Sequence, residues 1–266
     1  MLSLNFHRTF IPERRLIYAL LKYVASGKKG TLHQISAETG IPMGKSTGKM
    51  QAIFDYCRGM GLITIDEAHK KQDRRPVLTP FGETVYANDG LLGEELTQWL
   101  VHLNLCRPDI GAVVWHKVFV AGTKILGFSF TVPQLEAYLT NHYGHSSKGR
   151  TGPLLSVYTD DAALGRARVL QISDDNTITR KRAPIISSWA AAYSALMLEL
   201  LNTFFPGQFQ VTLTDFAERT GLFQMCSWQE TDVEIALSLL EKKGFVSIDR
   251  QIRPWIIEGR ANYKNV

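Results

Sequence analysis

Residues 31–66 carry the clearest pattern of apolar and polar positions along the chain. Thr31 and Gly40 suit the N-cap and the left-handed final residue of a short helix, and Pro42 prevents that helix from continuing. A second helix is predicted from Lys45, because apolar residues recur there at helical spacing. This apolar stripe consists of Met50, Ile53, Phe54 and Cys57.

The second predicted helix leads into two short strands. After Gly61, residues 62–65 alternate as a strand does, and residues 77–78 form a second apolar pair beyond a basic loop. This order predicts a winged helix-turn-helix. A plain helical hairpin followed by a strand, with a solvated basic loop, fits the same pattern.

Further helices are predicted on both sides of this stretch. The segment 144–182 is the least periodic part of the chain, and within it residues 146–152 suit either a phosphate-binding loop or a mobile loop. The helices are expected at 12–26, 79–87, 91–111, from 132 onwards, and at 185–205.

Two segments near the ends of the chain repeat each other. TLHQISAETG (31–40) matches TLTDFAERTG (212–221), and GLITID (61–66) matches GFVSID (244–249). The matched segments start 30 residues apart in the first copy and 32 in the second. The sequence therefore predicts a mainly α fold with small β wings, in which two winged-helix units flank a helical middle region. The expected domains are 1–90, 91–184 and 185–266.

The excess of positive charge lies in residues 1–90, the segment that contains the first copy. The net charge is +5, and residues 1–90 hold 13 Lys or Arg against 8 Asp or Glu. The second copy instead carries Glu230, Asp232 and Glu234 at the start of its second helix, where Ser227 and Glu230 have capping-box spacing. We therefore expect the first copy to contact DNA, and the second to pack internally or to bind protein.

The predicted DNA contacts fall at the start of the second helix and in the basic loop. Side chains at such a helix start reach phosphates and base edges, and a basic wing lies along the phosphate backbone. The predicted DNA-binding residues are Lys45, Ser46, Thr47, Lys49, Gln51, Lys70, Lys71, Arg74 and Arg75.

Other candidate chemistry is weaker. GIPMGKST has three residues between its glycines where a P-loop has four, so no ATPase is predicted. His102, Cys106 and His116 are only three candidate ligands and are expected in the core or at an interface, so no metal, cofactor or catalytic residue is assigned. A nuclease or sulfur-transfer enzyme that uses Asp160 and Asp161 within segment 144–182 is a third hypothesis.

Composition favours a cytoplasmic protein. The three cysteines show no CxxC spacing, which argues against both a disulfide framework and a zinc site. The sequence shows no signal-peptide pattern and no apolar run of roughly 20 residues, so neither secretion nor a membrane span is predicted.

FHRTF, TGIPMGKSTGK, MGLI, LTPFG, QWLVHLNL and AVVW resemble motifs of an uncharacterised bacterial family. Its members are encoded beside PAPS-reductase-like sulfurtransferases in DNA phosphorothioation and phage-defence gene clusters. The resemblance implies a context and supplies no catalytic residues.

These observations predict a non-enzymatic DNA-binding accessory or regulatory protein of such a system. The alternative is a scaffold for a sulfurtransferase or restriction complex that does not itself bind DNA. The expected partners are double-stranded DNA, a sulfurtransferase or other defence-system proteins, and a second copy of the chain in a homodimer.

Overall fold

The computed structural model describes residues 1–43, 48–66, 75–144 and 148–261 of the chain. The described residues are mainly helical and carry small antiparallel sheets, as the sequence predicted. The chain divides into two compact units, unit 1 (Met1–Lys181) and unit 2 (Arg182–Val266). The predicted division into three domains stays a prediction.

Unit 1 opens with three helices and a hairpin. Thr31 Oγ1 accepts a hydrogen bond from Gln34 N at 3.3 Å, and Thr31 N donates to Gln34 Oε1 at 2.7 Å, so a capping box starts the second helix. Gly40 ends that helix at φ 72°, a left-handed conformation that glycine adopts without strain. The elements are α1 (Arg14–Ala25), α2 (Leu32–Thr39), α3 (Gly48–Gly59), β1 (Ile63–Ile65), β2 (Pro76–Leu78) and α4 (Pro80–Asp89), with β1 and β2 antiparallel.

The predicted stripe of α3 faces the core of unit 1. Met50, Ile53, Phe54 and Cys57 are all fully buried. Burial of each large apolar side chain contributes about 1.5–3 kcal/mol, so this stripe fixes which face of α3 points outwards.

The first ten residues pack against the rest of unit 1. The Met1 amine donates to Asp109 O at 2.8 Å, and the Phe6 ring centroid lies 4.8 Å from that of Tyr56 and 5.6 Å from that of Trp115. This segment therefore ties α3 to the elements that follow α4.

The second half of unit 1 contains a three-stranded antiparallel sheet that the sequence did not reveal. Its strands stand in the order β3–β5–β4, so the last strand lies between the first two. The elements are α5 (Glu95–Cys106), α6 (Val113–His116), a π-helical turn (Lys117–Ala121), α7 (Thr123–Leu126), β3 (Ser129–Thr131), α8 (Val132–Tyr143), α9 (Lys148–Thr159), a 3₁₀ turn (Gly165–Ala167), β4 (Leu170–Ile172) and β5 (Thr177–Arg180).

Segment 146–152, expected as a loop, enters helix α9 at Lys148. Gly149, Gly152 and Pro153 break the helical signal in the sequence, yet Pro153 lies inside the helix. The loop prediction is therefore wrong for residues 148–152. Residues 146 and 147 lie outside the described residues.

Unit 2 has the same strand order as the middle sheet, here β6–β8–β7. Its elements are a 3₁₀ turn (Ser187–Trp189), α10 (Ala190–Phe204), β6 (Gln210–Thr212), α11 (Leu213–Thr220), α12 (Leu222–Met225), α13 (Glu230–Lys242), β7 (Val246–Asp249) and β8 (Ile256–Gly259). The predicted Ser227 cap is wrong. Gln229 caps α13 instead, and its backbone N–H donates to Asp232 Oδ2 at 2.9 Å.

A third copy of the repeated element order lies in the middle of the chain. Thr131 forms a capping box with Gln134, as Thr31 does with Gln34, and its helix α8 also ends at a left-handed glycine, Gly144. In the first and middle copies two helices and a hairpin follow the capping threonine, with a 3₁₀ turn before the hairpin in the middle copy. In the copy of unit 2, the four-residue helix α12 lies between the two longer helices. The signal in the sequence is the recurrence of TLHQ (31–34), TVPQ (131–134) and TLTD (212–215).

Candidate nucleic-acid interface

Lys49 lies in the first turn of α3 and is held against the N-terminal segment. Its Nζ atom is 2.6 Å from Glu13 Oε1 and 5.3 Å from the centroid of the Phe10 ring. A Cβ atom at Gly48 would come within 3.1 Å of the same ring, so the helix start packs tightly here. Glu13 partly offsets the Lys49 charge, and phosphate contact by Lys49 remains a prediction.

Gln51 is engaged within α3. Its Nε2 atom donates to Asp55 Oδ2 at 2.6 Å, an i,i+4 contact along the helix. Base contact by Gln51 requires this amide to turn away from Asp55.

Arg75 stands at the base of the β1–β2 hairpin. Its carbonyl oxygen accepts from Asp66 N at 3.0 Å, which closes the hairpin there. Its Nε atom is buried and has no hydrogen-bond partner among the described residues. The other predicted contact residues lie outside the described residues: Lys45, Ser46, Thr47, Lys70, Lys71 and Arg74.

His7 in the N-terminal segment and Arg150 in α9 are both buried basic side chains of unit 1. His7 is 2% exposed and Arg150, in the first turn of α9, is 8% exposed. Burial, reinforced by the Arg150 charge, lowers the pKa of His7 to about 4, so the imidazole is neutral at pH 7. Because Thr9 N donates to His7 Nδ1 at 3.1 Å, the His7 proton lies on Nε2.

The acidic start of α13 is ion-paired within unit 2. Arg253, in the hairpin that follows α13, lies 3.3 Å from Glu230 and 3.8 Å from Glu234. Arg182 lies 3.2 Å from Asp232. All three carboxylates that distinguish this copy thus have arginine partners in their own unit.

The candidate metal ligands have other contacts. His102 and Cys106 are buried, and His116 is partly buried. His102 Nδ1 is 2.6 Å from the Tyr158 hydroxyl oxygen, and His116 Nδ1 donates to the Cys106 carbonyl oxygen at 2.9 Å. Over the described ranges, no group of three or more His, Cys, Asp or Glu side chains is arranged to hold a metal ion.

The basic run Arg180, Lys181, Arg182 does not form one patch. Arg180 is buried between the rings of Phe119 and Phe130, 5.4 Å and 5.2 Å from their centroids. Burial lowers the pKa of Arg180 to about 10. These adjacent basic residues therefore have separate structural roles, which the sequence alone does not distinguish.

Solved structures with the same fold are known. A crystal structure of SspB superposes with a TM-score of 0.74 at 13% sequence identity, and a magnesium ion-bound SspB crystal structure with a TM-score of 0.71 at 14% identity. Each comparison covers 100% of this chain and 85% of the SspB chain. No protein-family model and no curated protein matches the sequence. At these identities the similarity establishes a shared fold.

Membrane insertion through a helix has no support in the described part of the chain. None of its helices combines the length and the apolar character needed to cross a bilayer.

Proposed function

We propose that the protein is a DNA-binding accessory component of a bacterial DNA-modification or phage-defence system linked to phosphorothioation. Residues 31–78 carry this proposal. They form a capped helix, a left-handed glycine turn, a second helix and an antiparallel hairpin, in the part of the chain that holds all the excess positive charge.

The proposed fold of this region is a winged helix-turn-helix. In that architecture α3 is the recognition helix and the chain between β1 and β2 is the wing. The sequence of that connection contains Lys70, Lys71 and Arg74, with Arg75 at its end. Contacts from these residues to phosphates would position the protein, and contacts from Thr47 and Gln51 would read bases.

The biological context comes from the shared fold. SspB is a phosphorothioation-system protein, and the motifs that resemble the sulfurtransferase-linked family point to the same context. The magnesium of the second SspB structure is not carried over, because the described residues offer no arrangement of three metal ligands. Asp160 and Asp161 are exposed turn residues, and Asp160 Oδ1 already accepts from Ala162 N at 2.8 Å.

The experiment that tests this proposal is a titration of the full chain with labelled 20-base-pair duplexes of random sequence, with and without phosphorothioate linkages, over a series of salt concentrations. We expect the logarithm of the association constant to fall linearly with the logarithm of the salt concentration. A preference for the modified duplex would further support a role in recognising the modification. No binding to either duplex at low salt would refute the proposed function.

Unit 2 favours a second function, docking of a protein partner. Four large apolar side chains are exposed among its described residues: Phe209 (91%), Ile252 (78%), Ile235 (59%) and Ile186 (45%). Exposed apolar side chains of this size mark protein contact sites when they are grouped. Binding of a purified sulfurtransferase that is lost in Phe209→Ser and Ile252→Ser variants, with DNA binding unchanged, would support this function.

A further inference from the structure

A basic cleft lies in unit 1, and none of its lining residues is a sequence-predicted DNA contact. Its volume is about 590 Å³, and Arg14 of α1, Glu95 of α5 and the 3₁₀ turn Gly165–Ala167 border it. The lining residues are Arg14, Gly93, Glu95, Asp161, Gly165, Arg166, Arg168 and Lys181.

The positive charges of the basic cleft exceed its negative charges. Lys181 Nζ lies 2.7 Å from Glu95 Oε1, so these two charges offset each other. Arg14 donates to two neutral acceptors, the carbonyl oxygens of Asp161 at 2.6 Å and Leu91 at 3.4 Å. With Arg166 and Arg168, the lining holds three arginines and one further carboxylate, that of Asp161.

Arg166 and Arg168 are exposed, and neither has a hydrogen-bond or ion-pair partner in the part of the chain that the structure describes. They are nevertheless carried on a fixed turn. Ala167 N donates to Gln98 Oε1 at 3.0 Å, and Gln98 Nε2 donates to Leu92 O at 2.9 Å, both in the buried interior. The backbone that presents the two arginines is therefore anchored to α5.

Gly165 keeps this turn close to the preceding segment. A Cβ atom there would lie 2.9 Å from the Asp160 carbonyl oxygen, a backbone atom that cannot move aside freely. The turn is thus preorganised, and a ligand that pairs with both arginines orders only their side chains.

The lining of the basic cleft indicates the class of ligand. It contains no aromatic or large aliphatic side chain among the described residues, whereas sites for small organic ligands are mostly apolar. Arginine forks match phosphate oxygens in geometry and charge. A polyanionic backbone therefore fits better than a free nucleotide, whose base would find no surface for stacking.

We infer that the basic cleft is a second DNA-binding site, which holds phosphates of a nucleic-acid backbone without reading sequence. This inference rests on the proposed function, because it adds a contact to the same DNA-binding protein.

The test compares two double variants of the full chain in DNA titrations at several salt concentrations. Arg166→Gln/Arg168→Gln removes two cleft charges, and Lys124→Gln/Lys243→Gln removes two exposed charges outside it. We expect the cleft variant to reduce the slope of log affinity against log salt by about 2, equally for all sequences, because each lost phosphate contact removes about 0.9. The control variant should retain the wild-type slope.

The outcomes separate the two proposals. Wild-type binding with an unchanged slope in the cleft variant would overturn the basic cleft and leave the proposed function intact. An equal loss in both variants would also overturn it, since general charge would then explain the effect. Absence of binding by the wild-type chain would reject both proposals.

Discussion

Lys49 Nζ lies 2.6 Å from Glu13 Oε1. Lys49, in the first turn of the predicted recognition helix α3, is therefore ion-paired with Glu13, the residue that precedes α1. Both side chains are about one quarter exposed, at 26% and 28%. DNA that contacts Lys49 must therefore compete with Glu13 or accept a carboxylate nearby.

Replacing Glu13 tests this competition. Glu13→Gln should tighten DNA binding by about two- to fivefold, the range that corresponds to a partly exposed ion pair of about 0.4–1 kcal/mol. Lys49→Gln should weaken binding and reduce the salt slope by about 1. If Glu13→Gln instead weakens binding as much as Lys49→Gln, the pair orients α3 and Lys49 does not itself bind phosphate.

The buried His7 predicts a pH dependence of stability. Its pKa is 6.5 in a free side chain and about 4 in the folded protein, so between these values the unfolded chain binds a proton that the folded chain does not. The contribution of neutral His7 to the free energy of unfolding is therefore fully present above about pH 6.5, and it is lost as the pH drops towards 4. His7 contributes about 3 kcal/mol to this loss. Protonation of Nδ1 would also break its hydrogen bond from Thr9 N.

Urea denaturation at pH 7, 5.5 and 4.5 checks the role of His7. His7→Asn keeps an acceptor near the Thr9 amide but has no ionisable group, so its free energy of unfolding should fall less than that of the wild type over this range. Parallel pH curves for the two proteins would contradict the assignment.

The capping threonines predict that the first and middle copies are built alike. Thr31→Ala and Thr131→Ala should each lower the free energy of unfolding by about 1 kcal/mol, because each removes the acceptor for the N3 amide of its helix. Serine at either position should recover most of the loss. A cost at Thr31 with none at Thr131 would argue against equivalent helix starts in the two copies.

The ion pairs of α13 allow a test of the prediction that its acidic start keeps unit 2 from binding DNA. Glu230→Gln/Glu234→Gln frees Arg253 from both carboxylates, and the stability should change by less than about 1 kcal/mol because the side chains are exposed. DNA affinity at low salt should rise. An unchanged affinity would mean that some feature other than these carboxylates excludes DNA from this face.

The sequence revealed those parts of the fold that local chemistry determines. Thr31 and Gly40 bound α2 as predicted, and the stripe Met50 to Cys57 is buried, because capping and periodicity act within a few residues. The sequence does not predict the middle copy, because Gly149, Gly152 and Pro153 break the helical pattern of α9.

The electrostatics of the site depend on distant contacts. Glu13 and Lys49 are 36 residues apart, and Ala167 N meets the Gln98 side chain across 69 residues. The pattern of residues within a short stretch of sequence does not reveal pairs so far apart in the chain. For the same reason the sequence does not predict the basic cleft, because its lining residues come from four separate stretches of the chain.

We propose that Lys45 and Lys49 bind DNA phosphates, and the most direct measurement is the salt dependence of duplex affinity for the wild type and for Lys45→Gln/Lys49→Gln. We expect the wild-type affinity to fall steeply with salt and the variant to bind more weakly, with a slope smaller by about 2. Wild-type affinity that is independent of salt, or a variant that binds as the wild type does, would contradict the claim.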